Sequence, residues 1–412
     1  LTTIKGDVSD LLTAYASNGI TGLGNEAITL DDTSVSVTDL NNLDSYTSGT
    51  INASSITDIT GPISALTAAY SSQGISNLGT NIEVTDTTTS SSEINLLDNL
   101  SSGLINAATI NLLTGSSASV NTLYESAVTS GSDGILNLGN EVIILSDSAI
   151  DASSLTSIAT SSSGNIHVSE VVKIQGTTSS INALYDTYTH IQSLGNESIT
   201  ITDNVGSSSD LVTLDGNTTG IIDAASLYKI EGLLQDLNNT YTSTQFTGLN
   251  NEDITLTDTI ISSSYDVSNL NTLDGSTSGI INTNNLSSVS GFLADLLTSY
   301  QADGIINLGN EAITLRDTGA VAASDLTTLA TLNSSGTIDA RSVSAITGNA
   351  SQIIAAYSDG TITEASNVAI TVNSGTVSVS QARTIDGYTT GVVTGTVASS
   401  AVSDLITLVD AN

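Results

Sequence analysis

The sequence predicts an α/β repeat solenoid built on parallel strands, and three observations predict it. Seven tyrosines each lie nine residues after a glycine: Gly6/Tyr15, Gly61/Tyr70, Gly115/Tyr124, Gly176/Tyr185, Gly232/Tyr241, Gly291/Tyr300 and Gly348/Tyr357. A second glycine stands 12 residues before six of these, at Gly49, Gly103, Gly164, Gly220, Gly279 and Gly336. Short runs of alternating apolar and polar residues recur in fixed order with stretches of helical spacing. A chain that repeats itself at a long, steady period stacks units along one axis, each packing only on its neighbours. About six regular units are therefore expected in residues 1–360, with a divergent seventh, continuous with them, in 361–412.

Each unit of about 57 residues reads as two short strands and two short helical segments. The first strand follows Leu-Gly-Asn-Glu, as in Ala27–Leu30, Val142–Leu145, Ser198–Ile201, Asp253–Leu256 and Ala312–Leu315. Period-two alternation rich in Ile and Thr marks it as half-buried. A short helix comes next, where Ser36, Ser90 or Ser207 stands three residues before Asp39, Glu93 or Asp210. That spacing suits a capping box, in which each side chain satisfies a backbone N–H of the first turn. The second strand opens on the glycine of the 12-residue spacing, which is expected to end the preceding helix in a left-handed conformation.

The fourth element reads as a helix broken at the glycine of the Gly/Tyr pair. Apolar residues precede that glycine by five and two positions, as in Ile56 and Ile59. An aliphatic residue precedes each Tyr by four, as in Leu11, Leu66 or Leu296, which places both on one helical face. The chain is therefore expected to form a right-handed α/β solenoid around one parallel sheet, since parallel crossovers are almost always right-handed. The alternative is a β-solenoid in which the Ser-rich helices are turns.

Composition narrows the function. The 412 residues carry six basic and 42 acidic side chains, a net charge of -36, so nucleic acid and anionic membrane surfaces are repelled. No cysteine is present, which excludes disulfides, thiolate zinc sites and thiol chemistry. No apolar run approaches membrane-spanning length. The opening hexapeptide Leu1–Gly6 matches Ile56–Gly61, which reads as a chain that starts partway through a unit of a longer protein.

Two repeated polar features invite a ligand reading. The asparagines of Leu-Gly-Asn-Glu, Asn25, Asn140, Asn196 and Asn310, with Asn251 in a variant, are expected to stack as a ladder bonding the turns of adjacent coils. An acid follows the first strand, and jointly with the preceding glutamate it offers repeated carboxylates to calcium, a hard cation. The calcium pairs are Glu26 with Asp32, Glu141 with Asp147, Glu197 with Asp203, Glu252 with Asp258, and Glu311 with Asp317. The alternative for each Asp is a carboxylate accepting backbone bonds at a turn. His167 and His190 share one unit and have no counterparts elsewhere, so neither zinc nor a catalytic triad is supported. No catalytic residue and no cofactor other than calcium is expected. Acid–base chemistry needs its groups concentrated at one place, and here they are evenly distributed.

The phrases at 37–44, Val-Thr-Asp-Leu-Asn-Asn-Leu-Asp, at 47–61, Thr-Ser-Gly-Thr-Ile-Asn-Ala-Ser-Ser-Ile-Thr-Asp-Ile-Thr-Gly, and at 65–70, Ala-Leu-Thr-Ala-Ala-Tyr, carry a family resemblance. They resemble the tandem repeats of giant cell-surface proteins of marine picocyanobacteria, the type associated with swimming Synechococcus. The resemblance covers nearly the whole chain. It implies an extended, calcium-exposed structural role on the outer surface, with no active site. The expected function is a stiff spacer or coat segment of a large extracellular or fibre protein. The alternative is an adhesin or phage-fibre module that binds glycans. Expected partners are neighbouring repeats of the same larger chain, further copies assembling into a filament or coat, and glycans.

Overall fold

The computed structural model describes residues 2–409 apart from 80 and 263. Residue 1 of the opening hexapeptide and residues 410–412 of the divergent stretch lie outside the described residues. The chain falls into two compact units, one of Leu1–Thr200 with Asn217–Gly220 and the other of Ile201–Gly216 with Ile221–Asn412. Both are solenoid-like α/β structures in which short parallel strands alternate with helices of about ten residues.

In the first unit a four-stranded sheet runs Thr3–Gly6, Ala27–Leu30, Ile51–Asn52, Ile75–Ser76. A five-stranded sheet runs Ser34–Ser36, Asp58–Gly61, Asn81–Val84, Leu104–Asn106, Gly134–Leu136. The second unit repeats the plan, for example in Val205–Ser207, Lys229–Gly232, Asp253–Leu256, Ile281–Asn282, Ile305–Ile306. Every one of these pairings is parallel.

The core is a set of stacked aliphatic rows, one side chain per strand. Ile59, Ile82, Ile105 and Ile135 lie in register in the first unit, and Ile230, Ile254, Ile281 and Ile305 in the second. Most of these are no more than 2% exposed. Strands about 4.8 Å apart place like β-branched side chains in direct contact, so a small aliphatic fills each layer and a large aromatic would overfill it. Each buried Ile contributes about 1.5–3 kcal/mol. The helices close the core from the other side. Val37, Leu40 and Leu43 of helix Val37–Tyr46 are fully buried, as are Leu326 and Leu329 of helix Ala323–Leu332. The aliphatic residue four before each Tyr is buried too, from Leu11 to Ile353.

Three expectations are corrected. The residues before the glycine of each Gly/Tyr pair are not the first half of a broken helix. They form a four-residue strand that ends on that glycine, as in Asp58–Gly61, Leu112–Gly115 and Ala345–Gly348. The spacing of Ile56 and Ile59 looked helical because Ile56 is buried in the turn that precedes the strand. A repeat therefore has more strands than two: Ile75–Ser76, Asn81–Val84, Thr88–Ser90, Leu104–Asn106 and Leu112–Gly115 lie between Gly61 and Gly115.

The strands also do not form one long sheet. Ser34 pairs with Asp58, Asp58 with Asn81 and Asn81 with Leu104, so strands recur faster than the helices that start at Val37, Ile63 and Ser91. Each pairing therefore slides further from its helix. Ser34–Ser36 abuts the helix after it, whereas Leu104–Asn106 already lies behind helix Ser91–Leu100. A sheet that drifts past a helix ends there, and another starts in front of it.

Of the expected capping boxes, Ser90/Glu93 is formed in full, while Ser36 makes no side-chain cap. Further boxes are found at Asn349/Gln352 and Ser378/Gln381.

Candidate functional site

The repeated polar constellation is a latch around the glutamate of Leu-Gly-Asn-Glu. The glycine before it takes a positive φ at Gly24, Gly139, Gly195 and Gly309 (131°, 120°, 127° and 144°), a region that favours glycine. The turn so formed aims two backbone N–H groups at the glutamate's own carboxylate. Glu26 Oε2 accepts from Gly24 N at 2.7 Å and Asn25 N at 3.1 Å, and Glu311 Oε2 from Gly309 N at 2.8 Å and Asn310 N at 3.1 Å.

The recurring tyrosine supplies a further donor. The distances are 3.1 Å for Tyr15–Glu26, 3.0 Å for Tyr124–Glu141, 3.1 Å for Tyr185–Glu197, 2.8 Å for Tyr241–Glu252 and 2.7 Å for Tyr300–Glu311. All five glutamates are at most 1% exposed. The donors converge on Oε2, which offsets the burial of that half of the carboxylate, whereas Oε1 of Glu26, Glu197 and Glu311 is buried without a hydrogen-bond partner. Two repeats lack the glutamate, and their tyrosines turn to a backbone carbonyl instead, Tyr70 to Gly79 O at 2.6 Å and Tyr357 to Ala365 O at 3.2 Å.

The glutamate's carbonyl is the other half of the latch. Thr47 Oγ1 donates to Glu26 O at 3.0 Å and accepts from Gly49 N at 3.0 Å; Thr218 and Thr277 repeat this at Glu197 and Glu252. In the sixth copy Asn333 Nδ2 donates to Glu311 O at 2.9 Å, and its Oδ1 accepts from Glu311 N at 3.1 Å. The glycine of the 12-residue spacing sits directly on this carbonyl. A Cβ would lie 2.0 Å from Glu26 O at Gly49, 1.9 Å from Glu141 O at Gly164 and 2.0 Å from Glu197 O at Gly220. None of these glycines has a positive φ. The expected left-handed helix cap is corrected: the position needs glycine for close backbone approach.

The structure separates the two carboxylates of each expected calcium pair. Glu26, Glu141, Glu197, Glu252 and Glu311 precede the strand, whereas Asp32, Asp147, Asp258 and Asp317 follow it. At about 3.3 Å per residue the two groups are on the order of 20 Å apart. The aspartates cap helices of the preceding coil. Asp32 Oδ2 accepts from Val8 N at 2.8 Å, Asp86 from Ile63 N at 2.7 Å, Asp147 from Ser117 N at 2.7 Å, Asp258 from Leu234 N at 2.7 Å, and Asp317 from Leu293 N at 2.8 Å. A carboxylate at a helix N-terminus satisfies a free N–H and favours the helix dipole. Asp203 occupies the same sequence position and is also engaged. Among the described residues no group of three or more His, Cys, Asp or Glu is placed to hold a metal ion.

The asparagine ladder is corrected as well. Asn25, Asn140, Asn196, Asn251 and Asn310 are exposed, and at most of these positions the backbone N–H serves the glutamate. Amides that bond each other between coils are found elsewhere, among them Asn77 to Asn52 at 3.1 Å, Asn137 to Asn106 at 2.6 Å and Asn307 to Asn282 at 2.8 Å. Their signal was available, because Asn77, Asn137 and Asn307 each stand directly before the Leu-Gly of their repeat; in the fold all three take a positive φ. His190 lies edge-on to Tyr188 and its Nε2 is 3.2 Å from Ala159 O.

Burial and the neighbouring carboxylates set the titration of the latch. Burial raises the pKa of all seven tyrosines, Tyr70 and Tyr357 to about 12, with the adjoining glutamate adding to the rise at Tyr124, Tyr185, Tyr241 and Tyr300. The Gly24 N–H, with other donors, holds Glu26 below the usual carboxylate range. The sign for the phenols is fixed. A folded pKa above the unfolded value of about 10 gives stability that is complete below pH 10 and is lost as pH rises through the folded values. Each phenol that keeps its proton only in the fold adds about 1.4 kcal/mol of loss per pH unit. Unfolding followed by far-UV circular dichroism should therefore show a steep transition between pH 10 and 12. Tyrosinate absorbance should rise with that transition and not before it.

The chain matches no protein-family model and no curated protein.

Proposed function

We propose that this chain is a non-enzymatic structural repeat segment of a large extracellular surface or fibre protein, acting as a stiff spacer or coat. The observation that carries this reading is the employment of the repeated polar groups. The glutamates, the tyrosines and most of the strand-following aspartates bond within or between coils, so the features that define the repeat hold it together. The resemblance of the phrases to picocyanobacterial surface repeats and the net charge of -36 support an outer-surface setting, where ionic strength screens self-repulsion to within about 10 Å or less. Among the described residues no helix is long and apolar enough to cross a membrane.

Immunogold electron microscopy of intact cells tests the reading. Label on the outer surface, or on a released fibre, is the expected result. Label confined to the cell interior contradicts it.

Calcium in this reading is a counter-ion for a dense acidic surface. The melting temperature of chelator-treated protein should rise equally with calcium and magnesium at equal ionic strength, measured by scanning calorimetry. A calcium-specific rise saturating at micromolar concentration would instead establish chelation.

A further inference from the structure

The polar groups that define the repeat are spent inside the coils, so those that break the repeat are the ones left for a ligand. They cluster on one sheet of the first unit. In strand Asn81–Val84 the outward residues are Asn81 and Glu83, on either side of the buried Ile82. Its counterparts in the other repeats are Ala27–Leu30, Val142–Leu145, Ser198–Ile201, Asp253–Leu256, Ala312–Leu315 and Ala369–Val372. At the place of Glu83 these carry Thr29, Thr200, Thr255, Thr314 and Thr371, with Ile144 in the third repeat, so the carboxylate is peculiar to this strand. Asn81 stands at the place of Ala27, Ala312 and Ala369. The neighbouring Asp58 stands where the fourth and fifth repeats have Lys173 and Lys229.

These side chains line a groove of about 450 Å³ on the outward face of strands Asp58–Gly61, Asn81–Val84, Leu104–Asn106 and Gly134–Leu136. Its volume lies in the range of small-ligand sites. Asp58, Thr60, Asn81 and Glu83 supply polar lining, and the half-buried Leu104 and Leu136 supply apolar lining. Both carboxylates are held in place. Asn81 Nδ2 donates to Asp58 Oδ1 at 3.0 Å, Asn106 Nδ2 to Glu83 Oε2 at 2.8 Å, and Asn137 Nδ2 to Asn106 Oδ1 at 2.6 Å. These bonds leave Glu83 Oε1 and Asn81 Oδ1 as acceptors. Among the described residues no Lys or Arg lines the groove, whereas in the corresponding sheet of the second unit Lys229 pairs with Glu231. A second irregularity borders the same groove. Tyr124 and Glu141 are 17 positions apart, against 11 or 12 in the other four glutamate-bearing repeats. The extra residues run along strand Gly134–Leu136, where Val128 N donates to Ile135 O at 2.8 Å and Ile135 N to Ser126 O at 3.0 Å.

We propose that this groove binds an uncharged saccharide. A pyranose ring offers a rim of O–H donors and an apolar C–H face. The fixed carboxylate and amide oxygens accept from adjacent hydroxyls, and bonds to an ionised acceptor are the stronger kind. Leu104 and Leu136 cover the C–H face. Asp58 and Glu83 repel sugar acids. Groups borne on strands and already fixed by neighbours lose little freedom on binding. No aromatic ring lines the groove among the described residues, so the affinity of one site is weak. The proposal goes beyond the structural-segment reading and does not rest on it, since a spacer needs no ligand.

Saturation-transfer difference NMR on the whole chain tests it, with methyl α-glucoside, methyl α-galactoside and methyl α-mannoside as probes in buffer containing EDTA. At least one should receive saturation, with a dissociation constant on the order of 1 mM. Methyl α-glucuronide should receive none. Glu83→Thr and Asn81→Ala restore residues that the counterpart strands carry, so both should melt like the parent. Each should weaken binding by about tenfold or more, the loss expected for one hydrogen bond in a charged site. No transfer to any of the three sugars, transfer undiminished in both variants, or equal binding of the glucuronide overturns the proposal. Transfer that appears only when calcium replaces EDTA also overturns it, because a bound cation and not these side chains would then hold the sugar.

Discussion

Gly164→Ala lowers the stability of the first unit by roughly 3 kcal/mol or more, the upper range for overpacking against an immovable neighbour. The added methyl would lie 1.9 Å from Glu141 O and 2.9 Å from the Asn140 carbonyl carbon. Both are main-chain atoms, so no side-chain rotation relieves the clash. The strand that begins beyond Gly164 must move away from the one before it, and Ile143 and Ile166 lose their register contact. Because each coil packs on its neighbours, the damage should be local first. Hydrogen exchange should show lost protection around Val142–Leu145 and Ile166–His167 before the rest of the unit. As a control, Gly319→Ala meets nothing within 4 Å and should melt like the parent.

Glu311→Ala has the second large effect, about 3–5 kcal/mol. It strands the part-buried N–H groups of Gly309 and Asn310 and the Tyr300 hydroxyl around a fully buried carboxylate site, and a buried donor left without a partner costs about 1–3 kcal/mol. Water entering the vacated volume will recover part of this, so the total falls below the simple sum. Chemical denaturation checks the value. The natural comparison is the second repeat, where Leu78-Gly79-Thr80-Asn81 has no glutamate and Tyr70 bonds the Gly79 carbonyl. That repeat shows that the tyrosine can be satisfied without a carboxylate once the turn is rebuilt, which a single substitution does not achieve.

The strands after Leu-Gly-Asn-Glu were legible in the sequence because alternation and β-branching act locally. The same holds for the buried aliphatic residue four before each tyrosine. The glycine of the 12-residue spacing was visible as a constraint, but its cause was not. The clash that forbids a side chain at Gly220 involves Glu197, just before another strand, and only the folded coil brings them together. The Tyr–Glu bond was hidden for the same reason, because the tyrosine recurs in all seven repeats whether or not the glutamate is there. The strand Asp58–Gly61 was misread as helix because an apolar pair spaced by three fits either a helix or a turn entering a strand. The drift of strand pairing against helix spacing, which divides the sheet, depends on register and has no local signature.

A double-mutant cycle of Tyr300→Phe and Glu311→Gln tests the central claim most directly, that the repeated carboxylates are internal fasteners of the coil. Chemical denaturation of the four proteins should give a coupling of about 1–2 kcal/mol, as expected for a hydroxyl donating to a buried charged acceptor. Additive losses, with coupling below about 0.3 kcal/mol, would contradict the account and return these glutamates to the list of groups available for a ligand.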